Sequence, residues 1–464
     1  MSTIASQHDS ARLHELGHGS IPKLLWNYSI PAVVGMLVMS LYNVIDRIFI
    51  GQGVGPEAIA GLTITFPVMN LSAALGVLIG AGASARVSIM LGAANHKGAL
   101  AVLGNSLVLS VGIAAVYISC FGIFLDHILM AFGANEVTLP YARDFMTFIL
   151  PGMFIMNISF SFNNIMRASG YPKRAMVTMF IGAGANLILD PLFIFVFGWG
   201  IKGAAIATDI AMTISAVFVM AHFVRPGSLL HFTRGTFRLQ WSIVWSIIII
   251  GAAPSLVNFA ASVINAIINN SLLRYAGPIA TEAIAAAGIL TTFTSLLVMV
   301  IVGMCQGMQP IVGYNYGAGL YHRLKRAYWL TCLWASVICC AGAFVAMMWP
   351  HYIARMFSPD PQLISVTSNA ILISTHAFWV VGFQVVSTNF MQSIGKATLS
   401  IVLSLSRQVI FLIPLLFLLP PYFGLNGIWG SFPCADTLAT LVTASIIVWQ
   451  MRAISKEAKK IAPR

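Results

Sequence analysis

The sequence predicts an all-α integral membrane protein with twelve transmembrane helices in two pseudo-symmetric six-helix lobes. Three observations predict it. Hydrophobic residues make up 58% of the chain and charged residues only 8%, against roughly 25% charged in an ordinary soluble domain, so lipid is the solvent for most of the surface. Runs such as 243–271 and 400–420 are apolar on every face and long enough to span. In lipid each span must bond its own backbone, and no short alternating segments suggest a barrel, so the spans are helices. Finally, short motifs recur in the same order in the two halves of the chain.

The first six spans fall near residues 24–50, 58–81, 99–125, 139–161, 175–198 and 203–224. Six more fall near 243–272, 283–308, 328–349, 366–390, 398–419 and 427–451. The expected organisation is an N-terminal lobe over 1–225, a basic linker over 226–240 and a C-terminal lobe over 241–464. The net charge of +12 reflects topology rather than nucleic-acid binding. Of the 25 Lys and Arg residues, nineteen fall on the side that holds both termini, five (Arg47, Arg143, Lys202, Arg274 and Arg355) on the other, and Arg407 inside a span. That bias places both termini in the cytoplasm. Residues 1–20 show no cleavable signal pattern. The six cysteines match neither a metal-ligand spacing nor a disulfide framework and read as small buried hydrophobes.

The repeat is visible in several places. Pro31, Asp46, the EAIA of 57–60, Gly76 and Gly80 are matched by Pro254, Asn269, the EAIA of 282–285, Gly303 and Gly307. Residues 164–170 echo 389–395, and 200–203 echo 424–427. Six spans per half keep the repeats in one orientation, which gives a pseudo-two-fold along the membrane normal. The glycines read as close helix packing, and Gln309-Pro310 as a break in the eighth span.

A charge in the bilayer interior costs about 2.5–3.5 kcal/mol on insertion scales, so such residues point to a cavity or a site. Asp190 is the clearest case. Asn186 lies four residues before it on the same helical face, and Pro191 frees a carbonyl about one turn earlier. With the turn centred on Trp199, Thr208 falls at the depth of Asp190 on the next span. Asn186, Asp190 and Thr208 thus make an all-oxygen set suited to a proton or a hard monovalent cation. Asp46 is the second candidate; Arg47 points about 100° away around the helix and is a poor partner. The second half has neutral Asn269 at the place of Asp46, and no acid is read in its spans. Asp209 is expected at the interface. Asn258, Asn265 and Asn269 form one helical stripe, either interhelical glue or a cavity wall; with Asn43 they are the candidates for a substrate cavity. No role is assigned to Arg407. Scattered histidines and the lack of a phosphate loop indicate neither an enzyme nor an ATP-driven pump.

At these residues the chain resembles the multidrug and toxic compound extrusion (MATE) family, in its bacterial DinF/MepA-like branch. The resemblance is carried by SLYNVIDRIFIGQ (40–52), NNIMRASGYP (163–172), NLILDPLF (186–193) and GAAIAT (203–208). It implies a V-shaped, twelve-helix antiporter of a bacterial inner membrane that exports organic, often cationic, compounds against H⁺ or Na⁺. The family's two carboxylates fall on Asp46 and Asp190, and its cation-site amide and hydroxyl on Asn186 and Thr208. If Na⁺ is the ion, Asn186, Asp190 and Thr208 hold it. The expected partners are small organic molecules and the bilayer, not nucleic acid, with no cofactor beyond the coupling ion, and the monomer as the functional unit. The rival functions are a flippase for a lipid-linked precursor, for which cationic cavity residues would be needed, and an exporter of an endogenous metabolite.

Overall fold

Each apolar run folds as a helix because lipid offers its backbone no other partner. The computed structural model describes residues 12–461 apart from 55, 133, 135, 137, 226 and 234, and the side chains there except those of 43, 47, 51, 56–61, 63, 460 and 461. A short helix, α1 (residues 12–18), leads into α2 (Ile21–Gly53), α3 (Pro56–Gly92), α4 (His96–Ala131), α5 (Leu139–Ala168), α6 (Pro172–Pro191) and α7 (Gly200–Val224). The second half holds α8 (Trp241–Tyr275), α9 (Ala280–Gly317), α10 (Tyr321–Met348), α11 (Pro350–Phe357), α12 (Pro361–Ser374), α13 (Phe378–Ser393), α14 (Ala397–Leu405), α15 (Ile413–Leu418) and α16 (Pro420–Ile461). Among the described residues eleven helices are long and apolar enough to cross a membrane, and the pair α12 and α13, bent by 57°, makes a twelfth, broken span.

Several helices outrun the apolar stretches that announce them. α3 has 37 residues, which is roughly 55 Å of helix against a hydrocarbon core of roughly 30 Å, so hydropathy ends before the helix does. α9 likewise continues through Pro310 to Gly317, and the break expected at Gln309-Pro310 does not occur. In α6, by contrast, the proline has its effect: from Leu192 to Val196 the chain winds as a π-helical turn, a common outcome where the regular bonding ladder is interrupted.

The internal repeat is written into the backbone. Left-handed residues stand at Ala94 and Gly319, at Gly170 and Gly395, and at Gly200 and Gly424, at separations of 225, 225 and 224 residues. Each pair closes the same turn in its own half, where a positive φ is cheapest for glycine.

The halves meet by exchanging their leading helices. α2 packs on α9 and α3 on α8, while α2 and α3, or α8 and α9, touch each other far less. Backbone meets backbone there. Gly82 lies against the carbonyl of Ile247 and Gly251 against that of Leu78; Gly92 faces the carbonyl of Tyr314, and Gly317 that of Ile89. Gly82 and Gly307, like Gly92 and Gly317, are 225 residues apart, the same interval as the turns. Gly307 packs on Ser29 and Gly303 on Val33. Gly76 and Gly80, matched to Gly303 and Gly307 by sequence, pack instead within the first half on Asn157 and Asn164 of α5. All the seam contacts lie toward the basic ends of their helices, whereas Leu41, Val44 and Ile48 of α2 and Phe259 and Val263 of α8, farther along, are exposed. The halves are therefore sealed on the basic side.

α1 straps that sealed side. Arg323 of α10 donates to the carbonyls of Gly19 (2.6 Å) and Leu16 (3.3 Å), and Asn315 of α9 donates to Leu16 (3.2 Å). From the same strap the Arg12 guanidinium sits 4.1 Å over the ring of Tyr171 in the first half.

One buried charge departs from the sequence reading. Asp436 of α16 is 4% exposed and accepts from Arg407 Nε at 2.6 Å. The second half does hold an intramembrane acid, and Arg407 has a partner. The acid was missed because it is separated from Arg407 by a whole helix and is surrounded by small and apolar residues.

Two stability predictions follow from this packing. Gly82→Ala places a Cβ against the Ile247 backbone and is expected to cost about 1–3 kcal/mol, read as a lowered midpoint of thermal unfolding in detergent. Gly112→Ala, inside α4 at a position with open space around it, should hold or slightly raise the midpoint. Arg407→Leu strands Asp436 and is expected to cost about 3–5 kcal/mol, most of it recovered in Arg407→Leu/Asp436→Leu; a double variant no more stable than the single one contradicts the pairing.

Candidate cation site and cavity

The site forms where α2, α6 and α7 converge. Asp190 is 1% exposed, and neither of its carboxylate oxygens accepts a hydrogen bond among the described residues. Beside it stand the carboxyl of Asp46 and the amide of Asn186. Asn186 Nδ2 donates to Thr208 Oγ1 at 3.0 Å, and Thr208 in turn donates to the carbonyl of Ala204 at 2.9 Å. That bond turns Asn186 Oδ1 free, buried and without a donor. The structure thus brings together all four sequence candidates, Asp46, Asn186, Asp190 and Thr208.

The register of the hairpin differs slightly from expectation. Asn186, not Asp190, bonds Thr208, so the symmetry point of the hairpin is residue 197 rather than 199. The tip lies at Phe197-Gly198, where Gly198 takes a positive φ, and Trp199 caps the start of α7. Asp190 is left one turn nearer the tip, facing Asp46 instead of Thr208.

Tyr42 was not foreseen. Its hydroxyl stands beside Asp46, Asp190 and Thr208. The signal was present in the sequence: Tyr42 precedes Asp46 by four residues, which puts both on one face of α2. Asp209, expected at the interface, instead presses its carboxylate into the notch left by Gly152 of α5. The side chain of Asn43 lies outside the described residues. Asn258, Asn265 and Asn269 are exposed on α8, away from this cluster.

Two neighbouring carboxyls, with no basic side chain beside Asp190 among the described residues, repel each other when both are ionised. The donor set is all oxygen: the two oxygens of Asp190, Oδ1 of Asn186, the hydroxyls of Thr208 and Tyr42, and Asp46. It fits a proton shared between carboxyls, or a hard monovalent ion coordinated by several oxygens. Among the described residues no group of three or more His, Cys, Asp or Glu could form a transition-metal site.

Directly against this cluster lies a cavity of about 410 Å³, within the size range of small-molecule pockets. Tyr42, Asn186 and Thr208 line both the cavity and the cation site. The rest of the wall is soft and apolar, with Met36, Met39, Met156, Met179, Met212 and Met299. Methionine is unbranched and polarizable and repacks around ligands of different shape. Polar side chains on the wall are Asn157 and Asn163, with the hydroxyls of Ser72, Ser159, Thr178 and Ser215. Asn157 is held by Ser72 and Tyr117.

Asn163 also links the cavity to the seam. Its Oδ1 accepts from Arg167 Nη2 at 3.0 Å, and Arg167 Nη1 reaches Asn164 Oδ1 and Gln306 Oε1 of the second half. Arg167, one of the nineteen basic residues counted on the side of the termini, is 3% exposed, buried among neutral amide oxygens. Because those acceptors come from both halves, this guanidinium bridges the seam.

Comparison with known proteins agrees with this geometry. The family model described as MatE matches residues 31–192 and 243–418, one match in each half. Among curated relatives, the FAD transporter of Shewanella oneidensis is 27% identical over 92% of this chain and 94% of its own. The multidrug export protein MepA of Staphylococcus haemolyticus is 26% identical over 93% of this chain and 94% of its own. Of solved structures, that of a MATE transporter in the bent conformation superposes with a TM-score of 0.90 at 26% identity, covering 96% of this chain and 99% of the other. The outward-facing conformation of a multidrug resistance MATE family transporter gives 0.89 at 26% identity, covering 95% and 98%. The repeat, the twelve-span architecture and these matches converge, and the chain belongs to the MATE family of membrane transporters.

Proposed function

We propose that this protein is a secondary active antiporter that exports organic, often cationic, compounds in exchange for H⁺ or Na⁺. The observation that carries the reading is the shared wall: Tyr42, Asn186 and Thr208 belong at once to the cation site and to the methionine-lined cavity. An ion drives transport only if it binds one conformation better than another. Here ion uptake by Asp190 and Asp46 reorganises the side chains that also contact the substrate, so ion and substrate compete for one conformation. In this scheme the N-terminal lobe, residues 1–225, carries the coupling site, and residues 226–240 form the cytoplasmic linker to the C-terminal lobe, 241–464. The basic ends of the helices, with both termini, face the cytoplasm of a bacterial inner membrane. The seal on that side makes this the outward-open member of an alternating cycle.

The cavity suits a flat apolar body with a positive end: soft sulfur walls around the body, and the carboxyl pair toward one end. A second reading, favoured by the FAD-transporter relative and by the buried cation of Arg167 beneath Asn163, is export of an endogenous aromatic anion. The two differ in which end of the cavity the ligand charge approaches.

In proteoliposomes loaded with a fluorescent organic cation, wild-type efflux is expected to follow either an imposed Na⁺ or an imposed pH gradient. Asp190→Asn should abolish the gradient-driven component while leaving the protein folded; full gradient-driven efflux by this variant would sink the coupling scheme. Thr208→Ala removes one oxygen and should raise the ion concentration for half-maximal transport about three- to tenfold, equivalent to about 1 kcal/mol.

A further inference from the structure

A second pocket, of about 280 Å³, lies on the seam near its basic end, remote from the cation site. Both halves build it. Arg86 and Ile89 come from α3 in the first half; Ser246 of α8, Tyr316 of α9 and the turn from Ile394 to Ala397 come from the second. Its chemistry is one-sided. Arg86 is the only charged side chain in the lining. Its Nε is buried and has no hydrogen-bond partner, and no acid pairs with it among the described residues.

That is an unusual way to place a topological arginine. A cation serving only the positive-inside bias needs to reach water, as exposed Lys97 and Lys396 do at the same end. Arg86 is half-buried and keeps its Nε inside the protein, where a donor left unsatisfied is costly, more so in a charged group. Such an orphan in a native structure calls for an explanation, such as a bound water or ion. Around it the pocket offers the hydroxyls of Ser246 and Tyr316 as further donors, and the turn beyond Gly395 opens α14 at Ala397 without a side-chain cap, which adds a favourable potential for negative charge. The room is several times the roughly 30 Å³ of a water molecule, enough for a phosphoryl group with part of what it is attached to. The planar guanidinium fork matches phosphate geometry better than an ammonium would.

We propose that the Arg86 pocket is a binding site for a phosphate-bearing anion, separate from the transport cavity, whose occupancy holds the seam closed. Its two walls belong to different halves, so the pocket exists only while the basic side is sealed. A ligand that binds only that state stabilises it by mass action. The phosphate has two sources, an anionic phospholipid headgroup of the adjoining leaflet or a soluble phosphate compound.

The test is thermal unfolding of the full chain in phosphatidylcholine nanodiscs, titrated with inorganic phosphate against chloride at matched ionic strength, and repeated in discs containing phosphatidylglycerol. The wild type is expected to show a saturable rise of the midpoint by a few degrees. A rise with inorganic phosphate identifies a soluble anion as sufficient; a rise with phosphatidylglycerol alone identifies the lipid headgroup. Arg86→Gln should lose the response, and Lys97→Gln, at an exposed cation on the same end, should keep it. Should Arg86→Gln fold poorly, Ser246→Asp provides the second arm: a tethered carboxylate in the pocket should occupy Arg86 and abolish the ligand response in a folded protein. The proposal is overturned if neither anion shifts the wild type, if Arg86→Gln responds like the wild type, or if Ser246→Asp keeps the full response.

Discussion

An ionised carboxylate in hydrocarbon is costly unless a cation stands beside it, and the two halves of this protein meet that constraint in opposite ways. In the second half the cation is part of the chain: Arg407 Nε holds Asp436 at 2.6 Å. In the first half Asp190 is given another carboxyl, an amide and a phenol as neighbours, with both of its oxygens left open. One half carries a fixed counter-charge and the other has none beside Asp190 among the described residues. A scaffold that is symmetric in its turns and in its seam is therefore asymmetric in its buried charges.

The placement of the cavity follows from the same asymmetry. At the interval of the repeat, Arg407 corresponds to Gly182 and Asp436 to Met212, and both Gly182 and Met212 line the cavity of the first half. Where one half has a glycine and a flexible thioether around open space, the other has a guanidinium and a carboxylate in contact. The ion pair occupies positions whose counterparts leave room. Arg167 adds a third treatment of charge: a cation buried among amides from both halves. Neutral acceptors satisfy it less firmly than a carboxylate would.

What could be read from the sequence was what is local along the chain. Hydropathy located every span, since a lipid-facing helix needs about 20 apolar residues wherever it stands. Asn186 and Asp190 were legible as an i, i+4 pair, and Thr208 as their partner because only a short hairpin separates them. The two-residue error in its register came from the π-helical turn after Pro191, which counting cannot foresee. Tyr42 could have been found from its spacing to Asp46, yet nothing local shows that α2 turns that face to α6. Asp436 and Arg407 meet across two helices, and Gly82 meets Ile247 across the whole first half. Such pairs depend on how helices pack, and in lipid the packing is set by small residues and close fit rather than by a hydrophobic pattern. Asn258, Asn265 and Asn269 illustrate the same limit: a polar stripe reveals a helix face, not what lies opposite it.

The glycine seam has a bearing on leakage. Where Gly82, Gly92, Gly251 and Gly317 bring main chain against main chain, no side chain stands between the helices, which leaves little room for water at those four points. Bulkier residues could hold two helices together as strongly, but side chains that change rotamer open transient crevices. A seam made of backbone has no rotamers to change. At those four contacts the closed side is narrowed by main chain alone, and the Arg86 pocket lies where the seam is less tightly filled.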